Sequence, residues 1–185
     1  MLAARLVFAL ALVAGTARAA PPGLATYTDT KNGFAIDYPS DWKVNPNWVD
    51  KGYGFFQGDT DDVHPGIAFT PSGDIAPGTT LQSDQLVFAI ETPRTGAKCV
   101  ASDFLVDPPP DYFTNVHVDK PDVVDTVAQA GDQYIIEHIV IVARQTPCLA
   151  VHYVIVSARA GGKPYDRDGL IAALNRITGT LRPAK

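Results

Sequence analysis

The chain has 185 residues and a formal net charge of −5, from 15 Lys and Arg against 20 Asp and Glu. An acidic chain without a basic patch has nothing to offer a phosphate backbone, so nucleic acid is excluded as the expected partner. The length suits one domain with a sizeable core.

The first twenty residues, MLAARLVFALALVAGTARAA, follow the three-part plan of a secretory signal peptide. Arg5 gives a positive start, Leu6 to Val13 form an apolar run, and Ala17-Arg18-Ala19 is a small-x-small cleavage site. The run falls short of the roughly 18 residues that a membrane helix needs, and no later segment is longer. Residues 1–19 are therefore expected to be a cleaved leader and residues 20–185 a single exported domain, periplasmic or secreted, with no membrane span. Loss of Arg5 and Arg18 takes the net charge from −5 to −7.

Past Pro21-Pro22, Ala25 to Thr30 and Phe34 to Tyr38 read as an antiparallel hairpin. Asn32-Gly33 supplies the turn, and Phe34, Ile36 and Tyr38 alternate with Ala35 and Asp37. The Tyr38-Pro39-Ser40-Asp41-Trp42 turn follows. Its main reading is structural: Pro39 fixes the turn and Trp42 anchors it on one end of the sheet. The competing reading is a ligand platform of Tyr38, Trp42 and Trp48.

Tyr53 to Gln57 and Gly66 to Thr70 read as short strands joined by an acidic tip. That tip holds Asp59, Asp61, Asp62 and His64, residue types that can ligate calcium or a transition metal. It lacks the glycine and closing glutamate of an EF-hand loop, so a solvated hairpin tip is expected and no metal or cofactor is assigned. Gln85 to Thr92 is a longer strand. Lys98 to Leu105 reads as a strand end or one helical turn, and Pro108-Pro109-Pro110 must lie in a loop.

The segment VVDTVAQAGDQ reads as a strand ending in a turn at Gly131-Asp132. Tyr134 to Ala143 and Leu149 to Ala158 are the strongest strands, both β-branched, and are expected to pair as an antiparallel hairpin at the sheet centre. The register leaves two options open for their polar residues: His138 beside His152, or Glu137 beside Tyr153. Either pairing is a conceivable acid–base site, weighed against a histidine satisfied by a neighbouring hydroxyl and half covered by the last helix. That helix is signalled by a cap near Asp166, by Leu170, Ile171, Leu174 and Ile177 on one face, and by Gly179 after it. Cys99 and Cys148 are expected to form a structural disulfide in an oxidising compartment. It would close a loop of about 50 residues and contribute roughly 4 kcal/mol in the chain-entropy account.

TYTDTKNGFAIDYPSDWKV resembles the N-terminal hairpin of the PsbP-like (Mog1/PsbP) superfamily. A Tyr-x-Asp segment, a Gly-Phe strand start and a Tyr-Pro-x-x-Trp turn recur there. The end is similar too, with two long strands and a helix finishing in Ile-Thr-Gly-Thr-Leu. PGIAFTPSGDIAPGTTL, KCVASDFL and PCLAVHYVIVSAR also look like segments of a group of exported bacterial proteins. The resemblance implies an α+β domain: a mainly antiparallel β-sheet flanked by helices, with the C-terminal helix packed on the sheet. It also implies a non-enzymatic accessory or binding module, and no functional residue carries across.

No G-x-S-x-G elbow, H-E-x-x-H helix, P-loop or G-x-G-x-x-G turn occurs. The functional expectation is an exported, non-enzymatic protein that binds another envelope component. The alternatives are a small-ligand or glycan binder using the aromatic turn, and a small hydrolase with His138 or His152 as base.

Overall fold

The computed structural model describes residues 23–50, 64–93, 98–105, 113–120, 122–144 and 147–184. Strands β1 (Leu24–Asp29) and β2 (Phe34–Pro39) form the expected hairpin, in a register running from Leu24 opposite Pro39 to Asp29 opposite Phe34. The turn needs a left-handed residue, and Gly33 supplies it with φ +73°. Asp29 fastens the same turn, its carboxylate accepting from the Asn32 backbone N–H at 2.9 Å and from Asn32 Nδ2 at 2.7 Å. At the far end, Trp42 N–H donates to the Pro39 carbonyl at 3.0 Å, closing the proline-fixed turn.

Strand β3 (Lys43–Asp50) then opens a second, seven-stranded sheet. It continues with β4 (His64–Thr70), β5 (Val87–Glu91), β6 (Phe113–Lys120), β7 (Val123–Ala130), β8 (Gln133–Ala143) and β9 (Leu149–Ala158). The order across the sheet is β3-β4-β5-β9-β8-β7-β6, and every neighbouring pair is antiparallel. β9 is central and buried from Leu149 to Ser157, which is why its sequence is apolar at nearly every position instead of alternating. The expected strand at Tyr53 to Gln57 lies outside the described residues, as do Asp59, Asp61 and Asp62.

Helix α1 (Arg167–Thr178) is capped by Asp166, whose Oδ1 accepts from the Gly169 N–H at 2.9 Å. Its buried Leu174 and Ile177 meet Phe34 and Ile36 of the small sheet, and Phe69, Phe88, Val151 and Tyr153 of the large one, in one core. The Tyr153 hydroxyl reaches the helix, donating to Asn175 Oδ1 at 3.1 Å and bonding the Thr178 hydroxyl. Strand β10 (Arg182–Pro183) returns to pair with β2, so the small sheet runs β1-β2-β10.

The architecture is α+β with the C-terminal helix packed on sheet, as expected, but in two respects it differs. The strands divide into two sheets. Among the described residues α1 is the one α-helix, so a second flanking helix is not shown. Short 3-10 turns stand at Ser83–Gln85 and Ala101–Phe104 instead. The helical turn expected within Lys98 to Leu105 is the second of these. No described helix is long and apolar enough to cross a membrane.

Candidate functional site

The two faces of the large sheet differ in chemistry. Register places Asp50 opposite His64, Gly66 opposite Glu91, Ala89 opposite His152, Ile139 opposite His152, and Thr126 opposite Glu137. Cross-strand partners share a face and alternate residues return to it. Asp50, His64, Glu91, His152, Glu137 and Thr126 therefore all project from the face away from α1. Each is buried: His64, Glu91 and His152 are 0% exposed and Asp50 is 1%.

His152 is the centre of the cluster. Its Nδ1 donates to Glu91 Oε1 at 2.7 Å and lies 3.4 Å from Asp50 Oδ2. On the other side of the ring, Nε2 is 3.6 Å from Glu137 Oε1, while the Thr126 hydroxyl donates to Glu137 Oε2 at 3.0 Å. Burial alone would push the His152 pKa down. The charge of Glu91 and the pull of the acceptor carboxylates of Asp50, Glu137 and Glu91 outweigh it, holding the imidazolium well above its ordinary range. Burial raises Glu91 to about 7, with His152 opposing and Asp50 and Glu137 adding repulsion.

His64 is different in kind. Among the described residues neither ring nitrogen has a hydrogen-bond partner, and Glu91 Oε2 has none either. Burial lowers the His64 pKa and His152 lowers it further, while the charges of Asp50 and Asp103 pull it back up. Buried polar atoms normally find partners, so the orphan atoms of His64 and Glu91 in one cluster call for a physical explanation.

Two features close the site. The 3-10 turn Ala101–Phe104 packs on this face, with Phe104 stacked on His64 at 5.5 Å between ring centroids and Ala101 among Val124, Ile139 and Ala150. Cys99, two residues before the turn, is bonded to Cys148 beside β9, with Cα atoms 5.9 Å apart. The expected disulfide is thus present, and it fastens the cover of the polar cluster. Gly66 makes the second contribution. A Cβ there would stand 2.8 Å from the Ile90 carbonyl, 3.0 Å from Glu91 Cγ and 3.2 Å from the Trp48 ring.

The histidines do not meet as either register option had it. His138 is opposite Tyr153 and lies on the helix side of the sheet; His152 lies on the other side, with Glu137. The alternation within each strand was legible, but the offset between the strands was not. His138 is partly covered, its Nδ1 2.5 Å from Asp125 Oδ1 and its ring stacked on Tyr153 at 5.2 Å. His64 is also relocated. It begins β4 and is fully buried, so it is not part of a solvated tip.

The structure divides the aromatic trio. Tyr38 and Trp42 pack against the main core, Tyr38 with its ring 4.9 Å from Phe69. Trp48 lines a surface cleft of about 450 Å3 between β3 and the β1–β2 hairpin, together with Tyr27, Lys31 and Asn32.

Asp50 and Glu91 were not visible as site residues in the sequence. The usable signal was an acidic residue at an inward position of a buried strand, which Glu91 in VFAIE offers. Asp50 offers none, because its strand could not be recognised.

No protein-family model and no curated protein matches the chain. Among solved structures, the chain is similar to the cyanobacterial PsbP (CyanoP) of Synechocystis sp. PCC 6803. The identity is 11%, with 92% of this chain and 96% of that chain covered and a TM-score of 0.41. This is a similarity at the level of fold alone, from which no role follows.

Proposed function

We propose that the protein is an exported, non-enzymatic accessory module that binds another component of the bacterial cell envelope. The observation that carries this reading is the Cys99–Cys148 disulfide in a chain that opens with a leader-like segment. Such a bond persists in an oxidising compartment and is rare in a reducing cytosol. The filled sheet supports a binding role over a catalytic one, since its central strand is buried along its length and the clefts lie at the surface. Fractionation of cells expressing the tagged full chain tests the reading. The expected outcome is a processed protein beginning at Ala20, with both cysteines oxidised, that cross-links in place to a defined envelope partner. An unprocessed cytoplasmic protein with two free thiols would overturn it.

A second reading, a small-ligand or glycan binder, is favoured by Trp48 on the wall of its cleft. Trp48→Ala should abolish binding to a glycan panel while Trp42→Ala, a core contact, lowers stability instead. Wild-type binding by the Trp48 variant would exclude that cleft.

A further inference from the structure

We propose that Asp50, Glu91, His152 and His64 form a buried site for one divalent transition-metal ion of the zinc type. Asp50, Glu91 and His152 each offer a ligand atom, and the three atoms all lie within 4.8 Å of one another. Donors around a tetrahedral zinc stand about 3.4 Å apart. The 3.4 Å between Asp50 Oδ2 and His152 Nδ1 already fits. Glu91 Oε1, at 2.7 Å from the same nitrogen, must withdraw by less than about 1 Å to fit the same geometry.

A fourth donor is at hand in His64, which lies outside this three-residue set and joins it by a shift of its side chain when the ion binds. His64 faces Asp50 across the β3–β4 pair, is 0% exposed, and has two ring nitrogens without a partner among the described residues. Glu91 contributes a further orphan atom, Oε2. An ion gives one His64 nitrogen a partner, and its two positive charges offset the carboxylates of Asp50 and Glu91.

The surroundings match a metal centre as well. His152 turns Nδ1 to the site, while its Nε2 stands 3.6 Å from Glu137 Oε1, too far for a direct hydrogen bond; Glu137 is itself held by Thr126. Two imidazoles and two carboxylates suit zinc and its first-row neighbours, whereas calcium takes an all-oxygen shell of six to eight ligands. Among the described residues, the burial of all four side chains and the cover of Phe104 fit a closed, structural site. The inference stands apart from the export reading, because it concerns residues inside the domain and holds in any compartment.

The test uses the purified, oxidised full chain, stripped with chelator and titrated with zinc, read by calorimetry, elemental analysis and thermal melting. One zinc per chain and a raised melting temperature are expected. His64→Phe keeps the stack on Phe104 and removes the orphan nitrogens. Its metal-free form should melt no lower than the wild type, while its zinc affinity falls at least about tenfold. Glu91→Gln, alike in shape, should weaken zinc by a similar factor, and His138→Ala, on the other face, should leave the affinity unchanged. A wild-type chain that takes up no stoichiometric zinc, or binding that survives both His64→Phe and Glu91→Gln, would overturn the assignment.

Discussion

His152 and Glu91 lie 2.7 Å apart, Nδ1 to Oε1, and neither side chain has any exposure. Removing one partner of such a pair leaves the other charge buried without compensation, which typically costs about 3–5 kcal/mol. His152→Ala leaves Asp50, Glu91 and Glu137 facing one another, so it should be the most destabilising single change on this face. Urea unfolding in chelator measures it, and a loss below about 1 kcal/mol would refute the account.

The same pair sets an unusual pH dependence for the metal-free chain. The fold raises Glu91 to about 7, so it holds this proton more tightly than the unfolded chain does. That contribution is complete below the ordinary carboxylate pKa and is lost as pH rises through about 7. His152, also raised, contributes below its ordinary pKa and loses this as pH rises through its folded value. Both act in the same sense, among neighbours Asp50, Glu137, His64 and Asp103. Unfolding free energy in chelator should therefore fall from pH 5 to pH 8, by an amount on the order of a few kcal/mol. Glu91→Gln should flatten the part between pH 5 and pH 7. A wild-type profile that rises over this range would contradict the assignment.

Reduction should act through the cover of the cluster. Breaking Cys99–Cys148, by reductant or by replacing both residues with serine, removes a cross-link spanning 49 residues. The expected cost is about 4 kcal/mol, less any strain relieved. Hydrogen exchange should quicken first at Val124, Ile139 and Ala150, which pack under the Ala101–Phe104 turn. Exchange that accelerates evenly over both sheets would argue against this coupling.

Gly66→Ala tests the close packing beside Glu91. The added methyl meets the Ile90 carbonyl, which cannot move without disturbing the β4–β5 ladder, as well as Glu91 and Trp48. Overpacking of this kind costs about 1–3 kcal/mol. Trp48 fluorescence should shift, and a neutral substitution would show that the sheet edge is looser than described.

The local patterns in the sequence were sufficient for some elements. Asn32-Gly33 between alternating residues marked the first hairpin, β-branched runs marked β8 and β9, and Asp166 with an apolar face marked α1. Strand β3 was hidden because KVNPNWVD is polar and interrupted by Pro46, and such a segment survives as a strand at a sheet edge with a register shift between Asn45 and Trp48. β6 was hidden in the same way, as an edge strand with two register shifts. The buried site depends on that missing strand. Its members come from positions 50, 64, 91, 137 and 152, and only the order of strands across the sheet brings them together. His64 misled for a further reason: it sits at the end of an acidic run, yet its own residue already belongs to β4.

Strand β10 carries a consequence for how the chain acquires its shape. It pairs with β2 at Arg182 and Pro183, and Ala184 N–H donates to the Gly33 carbonyl at 2.9 Å. Residues 182–184 thus finish a sheet begun by the β1–β2 hairpin, and α1 closes the core between them. Such contacts are among the longest-range the chain can make, and they form slowly. The small sheet cannot be completed until residues 182–184 are free to pair. Without that strand the hairpin is exposed on one side, and replacing Arg182–Ala184 with a flexible Gly-Ser segment should leave β2 with a bare edge, open to pairing with another copy.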